Sequence, residues 1–563
     1  MKLVKNQVRV ISLGVLLLMG VNSFLYASKK QNDVKKIDPK PHIVNIINFI
    51  RLCEPRVAEI TEDVLFQTVV KQTEIMRKNN LKGTFLLQYD ALMDSRYQKL
   101  FKNMPDSLFE VGAWWELPQP LIENSGLKWR GRYPWDWAAN VGFSIGYTPQ
   151  EREKIVDTYM ADFKKIYGHY PKSVGSWFID AHSLNYMYKK YGIVACCMCR
   201  DQIGTDGYTL WGGYWNQAYY PSVKNELMPA QNPENQIPVP VFRMLGSDPV
   251  RQYDDGLGSD WQGVSTLEPS YENGGGDATW VNWYFNEFTK RACMEYAYVQ
   301  VGQENSFTWD RMSKGYEIQI PLVAKLRDEN KIQIKTLAEA GKWFHNRYKT
   351  TPSTSVTVQE DLNGSDRKTV WFNSRFFRTN LLWEKGTLRF RDIHMFDEKL
   401  PSDYLTQKGL TSNCSFFTLP FVDGYVWSTP DTIAGLRFKF FVKDQEIQIS
   451  GGNPIITDSI PGKLHIVWPL LPFSGNLVID LTEREMQIKL EGKGPDKWYL
   501  DLTTANSAKL PFDKISSQRV DCTFKDLAYH VIAKKGYFDK PQENVVFRIK
   551  PHSNTIKLDF SER

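Results

Sequence analysis

The stretch Ser173–Cys199, SVGSWFIDAHSLNYMYKKYGIVACCMC, decides the fold. Ser173–Ile179 reads as a strand that ends at Asp180. Leu184–Tyr191 has the spacing of a short helix, and Gly192 is the residue type that stops one. Ile193–Cys199 is a second apolar run of strand length. Strand, helix and strand in so short a span form a βαβ unit, whose two strands must lie parallel in one sheet.

The same rhythm extends outward on both sides. His42–Arg51, Gly83–Gln88 and Phe109–Trp115 precede it as apolar runs, and Val239–Leu245 and Ala297–Val301 follow. Helical patterns fall at Glu62–Asn79, Thr148–Tyr167, Asn282–Tyr296 and Ile334–His345. Thr148, Pro149 and Glu151 supply an N-cap, a first-turn proline and the carboxylate of a capping box. Seven β units separated by helices or long loops predict an α/β fold, a (β/α)7 barrel over 42–345. No G-x-G-x-x-G follows the first strand, which argues against a dinucleotide-binding sheet. From about Thr350 the pattern switches to alternation, as in Lys368–Phe376, Leu436–Phe441 and Glu485–Leu490. Residues 346–563 are therefore expected to form an all-β, sandwich-like domain.

Composition narrows the function. Hydrophobic residues make up 42% and charged residues 24%, as in an ordinary globular chain. The net charge of +6 resides wholly in residues 1–40, which hold eight basic and two acidic side chains. A nucleic-acid partner needs a basic folded part, so none is expected. Lys2, Lys5 and Arg9 ahead of the apolar run Val10–Val21 predict a signal peptide over 1–28, with Lys29–Pro41 as a linker. The apolar run is too short to span a bilayer. The expected location is exported, periplasmic or extracellular, with no integral span after signal removal. Seven cysteines are too few and too scattered for a disulfide framework. Cys196, Cys197 and Cys199 lie in an apolar run and are expected as core packing.

Barrels of this kind place their site at the C-terminal ends of the strands. The acids there are Glu54, Asp90, Glu116, Asp180, Asp201, Asp206, Asp248 and Glu304. Glycoside hydrolysis uses two carboxyl groups flanking one bond. Asp180, Glu304, Glu116 and Asp248 are the catalytic candidates. Trp114, Trp115, Trp135, His182, Asp206, Tyr208, Trp211, Trp215 and Arg243 are the substrate-binding candidates, since aromatic faces suit the C–H face of a sugar. Each has a plainer alternative. Asp180 or Ser183 could cap the helix that follows, Asp248 a turn, Glu304 could order its own loop, His182 could be a satisfied structural histidine, and the aromatic loops could form a well-packed lid or an inter-domain contact.

The segment Gly175-Ser-Trp177-Phe-Ile179-Asp180-Ala-His182-Ser183 resembles the nucleophile motif of class II α-mannosidases, W-x-I-D followed by P-F-G-H-S and a helix. The match needs a two-residue gap between Ala181 and His182. Lys82-Gly-Thr-Phe-Leu-Leu is similar to the second strand of deacetylase-like barrels. The resemblance is to the glycoside hydrolase/deacetylase (β/α)7 superfamily, in a secreted bacterial branch, and covers 42–345 as an order of elements. It implies a nucleophile at Asp180 and, by the metal-free family 57 pattern, an acid at Glu304. The zinc-binding H-x-D of the mannosidases is replaced by Asn45-Ile-Ile-Asn48. The deacetylase ligand positions hold Arg51-Leu-Cys-Glu54 and Trp114-Trp115-Glu116. No metal and no cofactor are expected. The function expected is an exported glycoside hydrolase acting on a polysaccharide or glycan through a carboxylate pair. The alternative is a non-catalytic carbohydrate-binding or scaffold protein on a degenerate barrel.

Overall fold

A computed structural model of the chain describes residues 40–541 and 544–562. The expected signal peptide and all but the end of the expected linker lie outside the described residues. The first strand, β1 (His42–Ile50), is buried on both faces, as the Ile-rich run demands of a strand covered on both sides. The strands that follow are β2 (Gly83–Leu87), β3 (Phe109–Trp114), β4 (Ser173–Gly175), β5 (Ala195–Met198), β6 (Gln202–Thr205), β7 (Tyr208–Trp211), β8 (Ala218–Tyr219), β9 (Val241–Arg243), β10 (Ala297–Val301) and β11 (Gln333–Ile334). One sheet runs β10-β1-β2-β3-β4-β5-β9-β8, with β11 beside β1. All its pairings are parallel except β8 with β9. The fold is mixed α/β around this nearly closed, barrel-like sheet.

Among the described residues no strand ladder joins β9 to β10, so side chains close the seam. Gln217 accepts from the Tyr298 N–H (2.9 Å) and donates to the Tyr298 carbonyl (3.2 Å). The Tyr296 hydroxyl meets the N–H and carbonyl of Ala218 (3.0 and 2.7 Å). Gln300 accepts from the Leu245 N–H (2.8 Å). Buried backbone groups need partners, and these side chains do the work of a missing strand pairing. Gln217→Ala should therefore cost about 1–3 kcal/mol, from the two backbone groups left bare. A urea midpoint equal to that of the unaltered protein would show that water or a shifted strand closes the seam instead.

Several expectations are corrected. β4 stops at Gly175 rather than Ile179, because Ser176 turns the chain by donating to the carbonyls of Trp115 and Phe178 (both 2.8 Å). The helix expected at Asn282–Tyr296 is Ala278–Lys290, capped by Asp277. The long helix Thr308–Asp328 carries an internal Pro321 and a Gly315 whose added Cβ would lie 2.3 Å from the Pro269 carbonyl. Those breakers hid it from a periodicity reading. The capping box of Thr148 and Glu151 forms as expected, and the helix Pro149–Tyr167 ends at left-handed Gly168.

After residue 350 the chain is β. Further strands include β12 (Thr354–Val358), β13 (Lys368–Asn373), β14 (Phe377–Glu384), β15 (Thr387–Met395), β16 (Cys414–Phe417), β17 (Leu419–Asp423) and β18 (Gly435–Val442). A ten-stranded sheet and an eight-stranded sheet result. They meet through aromatic contacts such as Phe377–Phe560, 4.2 Å between centroids. β16 pairs with β7, joining the barrel's long loop to the C-terminal region. Pro41–Arg563 is one compact unit.

Candidate functional site

At the C-terminal end of β1 stands Arg51, buried and held in place by Asn305. That side chain accepts from the Arg51 N–H (2.9 Å) and donates to its carbonyl (2.8 Å). The chain reaches Asn305 through Gly302, whose φ of 103° and 2.2 Å approach of a would-be Cβ to the Ile47 carbonyl admit only glycine. This turn lays Gln303 and Glu304 over the barrel mouth.

The Arg51 guanidinium joins two carboxylates. Glu116, following β3, accepts from Nε and Nη2 at 2.8 and 2.7 Å, a bidentate pair. Glu304, following β10, lies 2.9 Å from Nη1 through Oε2, and its Oε1 accepts from Ser306 (2.7 Å). Oε2 has no well-directed hydrogen bond. Burial pushes the Glu304 carboxyl up to about 7; Arg51 opposes the shift and the nearby Glu116 charge adds to it. One cation between two acids leaves one carboxyl predisposed to hold a proton near neutral pH.

An aromatic roof covers the cluster. Trp135 lies 4.1 Å from the Arg51 guanidinium, and Arg56 lies 5.2 Å from both Trp135 and Trp137. Glu54 holds Arg56 through both oxygens, at 2.7 and 2.6 Å. Tyr133 stacks on Trp137 and is exposed. Beside the cluster, Asp90 is pushed by burial to about 7 as well. On the other side Glu268 accepts from Gln303 and Thr266 (2.8 and 2.7 Å). The charges of Glu268 and Glu304 both raise the Tyr271 hydroxyl, an exposed rim residue. Glu268 and Tyr271 escaped the sequence reading because their loop carries no strand period to anchor them.

The other candidates fall elsewhere. Asp180 is wholly buried and caps the helix Ala181–Tyr191. It accepts from Arg152 (2.9 Å), the Ser183 N–H (2.9 Å), Ser144 (2.6 Å) and the Ser183 hydroxyl (2.7 Å), which fills its four acceptor sites. Burial pushes its carboxyl up, but Arg152 and these bonds outweigh that and hold it below the usual value. The nucleophile expectation gives way to the capping alternative, since no lone pair is left to attack. Asp248 caps a turn through the N–H groups of Val250 and Arg251 (2.8 and 3.0 Å). His182 pairs with Glu153 on the helical surface (3.0 Å), and Asp206 sits exposed at the tip of the β6–β7 hairpin.

The loop aromatics mostly bind protein. Trp114 stacks on Phe49 at 4.3 Å, and Trp115 lies in the core against Tyr159. Tyr208 donates to the Trp137 carbonyl. Trp211 donates to Asp423 (2.8 Å), and Trp215 stacks on Trp371 at 4.2 Å. Asp201 binds Arg243 (2.7 Å) and Arg378, and Arg378 also grips Asp392 (3.0 and 2.7 Å). Trp211 and Trp215 thus join the barrel to the C-terminal sheet, and Arg243 is tied to it through Asp201, which it shares with Arg378. Of the expected set, only Glu116, Glu304 and Trp135 come together at the mouth.

Among the described residues, no three or more His, Cys, Asp or Glu side chains are arranged to hold a metal. No helix there is long and apolar enough to cross a membrane.

The site belongs to the class of strand-end carboxylate clusters on a barrel-like sheet. No protein-family model matches the chain, and no curated protein matches it. Among solved structures it is similar to a glycoside hydrolase/deacetylase-like protein from Parabacteroides distasonis, at 14% identity and a TM-score of 0.49, over 68% of this chain and 89% of that one. It is also similar to a family 4 acetyl xylan esterase from Clostridium thermocellum, with 12% identity, a TM-score of 0.25, and 54% and 91% coverage. For the 4-alpha-glucanotransferase from Thermococcus litoralis the values are 9%, 0.29, 93% and 100%. The fold described above stands on its own strand pairings.

Proposed function

We propose that the chain is a glycan-acting hydrolase on a (β/α)7-type barrel, with Glu304 as general acid and Glu116 as its carboxylate partner. The observation that carries this reading is the single Arg51 guanidinium shared by two buried carboxyl groups from opposite sides of the barrel mouth. Glu304, with its carboxyl near 7, can protonate a glycosidic oxygen at neutral pH. As the C–O bond breaks, Glu116 faces the anomeric carbon as base or nucleophile. Exposed Tyr133 and Tyr271 at the rim supply sugar-stacking faces. Export of the protein rests on the pattern of residues 1–28; N-terminal sequencing of the secreted material tests it.

The bidentate hold of Arg51 on Glu116 favours a second reading, a carbohydrate-binding protein with a structural ion cluster. A panel of neutral and acidic polysaccharides, assayed for new reducing ends, separates the two. Hydrolysis that disappears in Glu304→Gln supports the enzyme. Binding without hydrolysis on every glycan supports the alternative.

A further inference from the structure

The C-terminal sheet sets Arg389 on β15 directly opposite Arg437 on β18. Like charges facing each other across an antiparallel pair repel. Here the partners are neutral. Arg389 donates to the Ala434 carbonyl (3.1 Å). Arg437 donates to the carbonyls of Gly435 and Ile433 (3.3 and 2.6 Å) and to the Thr503 hydroxyl (2.7 Å).

The carboxylates near the pair make their ion pairs with other cations, though the charge of Glu384 still raises Arg389. Asp501, across from Arg437 on the strand Lys497–Thr503, gives both oxygens to Arg548 (2.7 Å each). Glu384 pairs with Arg367 (3.1 Å) and Glu446 with Lys439 (2.6 Å). Burial, then the charges of Arg437 and Arg391, pull Arg389 down to about 9. Both arginines line a cavity of about 360 Å³, walled also by Phe438, Phe440 and Trp468, with Glu384 and the Glu446–Lys439 ion pair on its wall. That volume suits a small ligand, and its make-up joins two guanidinium forks to an aromatic wall.

We propose that this cavity binds the carboxylate of an acidic saccharide, a uronic acid residue, between Arg389 and Arg437, with the sugar's C–H face against the aromatic wall. Two guanidinium groups match a planar carboxylate through paired, charge-assisted hydrogen bonds. The preference for an anion rests on the arginines alone; its attachment to a sugar rests on the glycan reading above. The site is separate from the barrel mouth and serves to hold substrate or product chain.

Calorimetric titration of the full chain with trigalacturonate tests this against neutral galactotriose. The acidic trisaccharide should bind and the neutral one should not, and binding should weaken as salt rises. Arg389→Gln and Arg437→Gln should each weaken it roughly tenfold or more. Arg389→Gln should melt at or near the wild-type temperature, since it relieves a like-charge pair at the loss of one carbonyl bond; Arg437→Gln also gives up its bonds to Gly435, Ile433 and Thr503 and should melt lower. Absent binding, equal binding of the two trisaccharides, or unchanged affinity in both variants overturns the proposal. Tighter binding of a sulfated trisaccharide also overturns it and assigns the cavity to sulfate. Trigalacturonate binding by a protein that cleaves no glycan would remove the barrel reading and leave this site standing.

Discussion

Glu304→Gln is expected to lower turnover of a cleaved glycan by roughly 10²–10⁴-fold, the usual worth of a positioned general acid. Gln keeps the shape, and its carbonyl oxygen can accept from Arg51 while its NH2 donates to the Ser306 hydroxyl, so the variant should fold. Its stability profile should change in a defined direction. The Glu304 carboxyl rises from 4.5 to about 7 in the folded chain. Its stabilising contribution is therefore complete below about pH 4.5 and is lost as pH climbs through about 7. Gln has no such slope. Between pH 5 and 8 wild type should lose stability relative to the variant, by an amount of order a few kcal/mol. Asp90, also near 7, titrates in both proteins and cancels from the comparison. Wild-type activity should fall on the alkaline side of about pH 7. Unchanged turnover in Glu304→Gln, or parallel pH–stability curves, would remove Glu304 as the acid.

The second large effect is structural. Asp180→Ala leaves the Arg152 guanidinium buried without its carboxylate, and both side chains are fully excluded from solvent. Breaking a buried ion pair from one side costs about 3–5 kcal/mol. Arg152 retains the carbonyls of Tyr147, Tyr404 and Gln407 (2.8, 2.7 and 3.1 Å), which limits the loss toward the lower figure. The N-cap bond to Ser183 goes as well, at about 1 kcal/mol. Turnover per folded molecule should stay near wild type. A variant that melts normally but loses turnover would restore Asp180 to the chemistry. Asp180→Asn, which keeps the cap but not the charge, should lose less stability than Asp180→Ala.

Two features of the sequence pointed to Asp180: its place at a strand end and its motif likeness. Both describe a helix cap as well as a nucleophile, because an N-cap carboxylate sits at the same junction of strand and helix. Arg152 decides between them, and it lies 28 residues away along the chain. The same holds for Trp211 and Trp215. An aromatic, glycine-rich loop reads alike whether it faces a sugar or another sheet, and here Asp423 and Trp371 are its partners, more than 150 residues on.

Local periodicity determined the parallel strands, the capping box of Thr148 and Glu151, the glycine stop at Gly192, and the change to β structure after residue 350. These depend on side-chain spacing within one turn or one pleat, which the chain carries in itself. The strand-end positions of Glu116 and Glu304 were legible for the same reason. Tertiary structure alone decided that these two share Arg51, that Gln217 closes the seam, and that Arg389 faces Arg437. Each is a pairing between segments far apart in the chain, where shape, burial and the competition for a limited number of charges choose the partner. No spacing rule along the backbone encodes that choice.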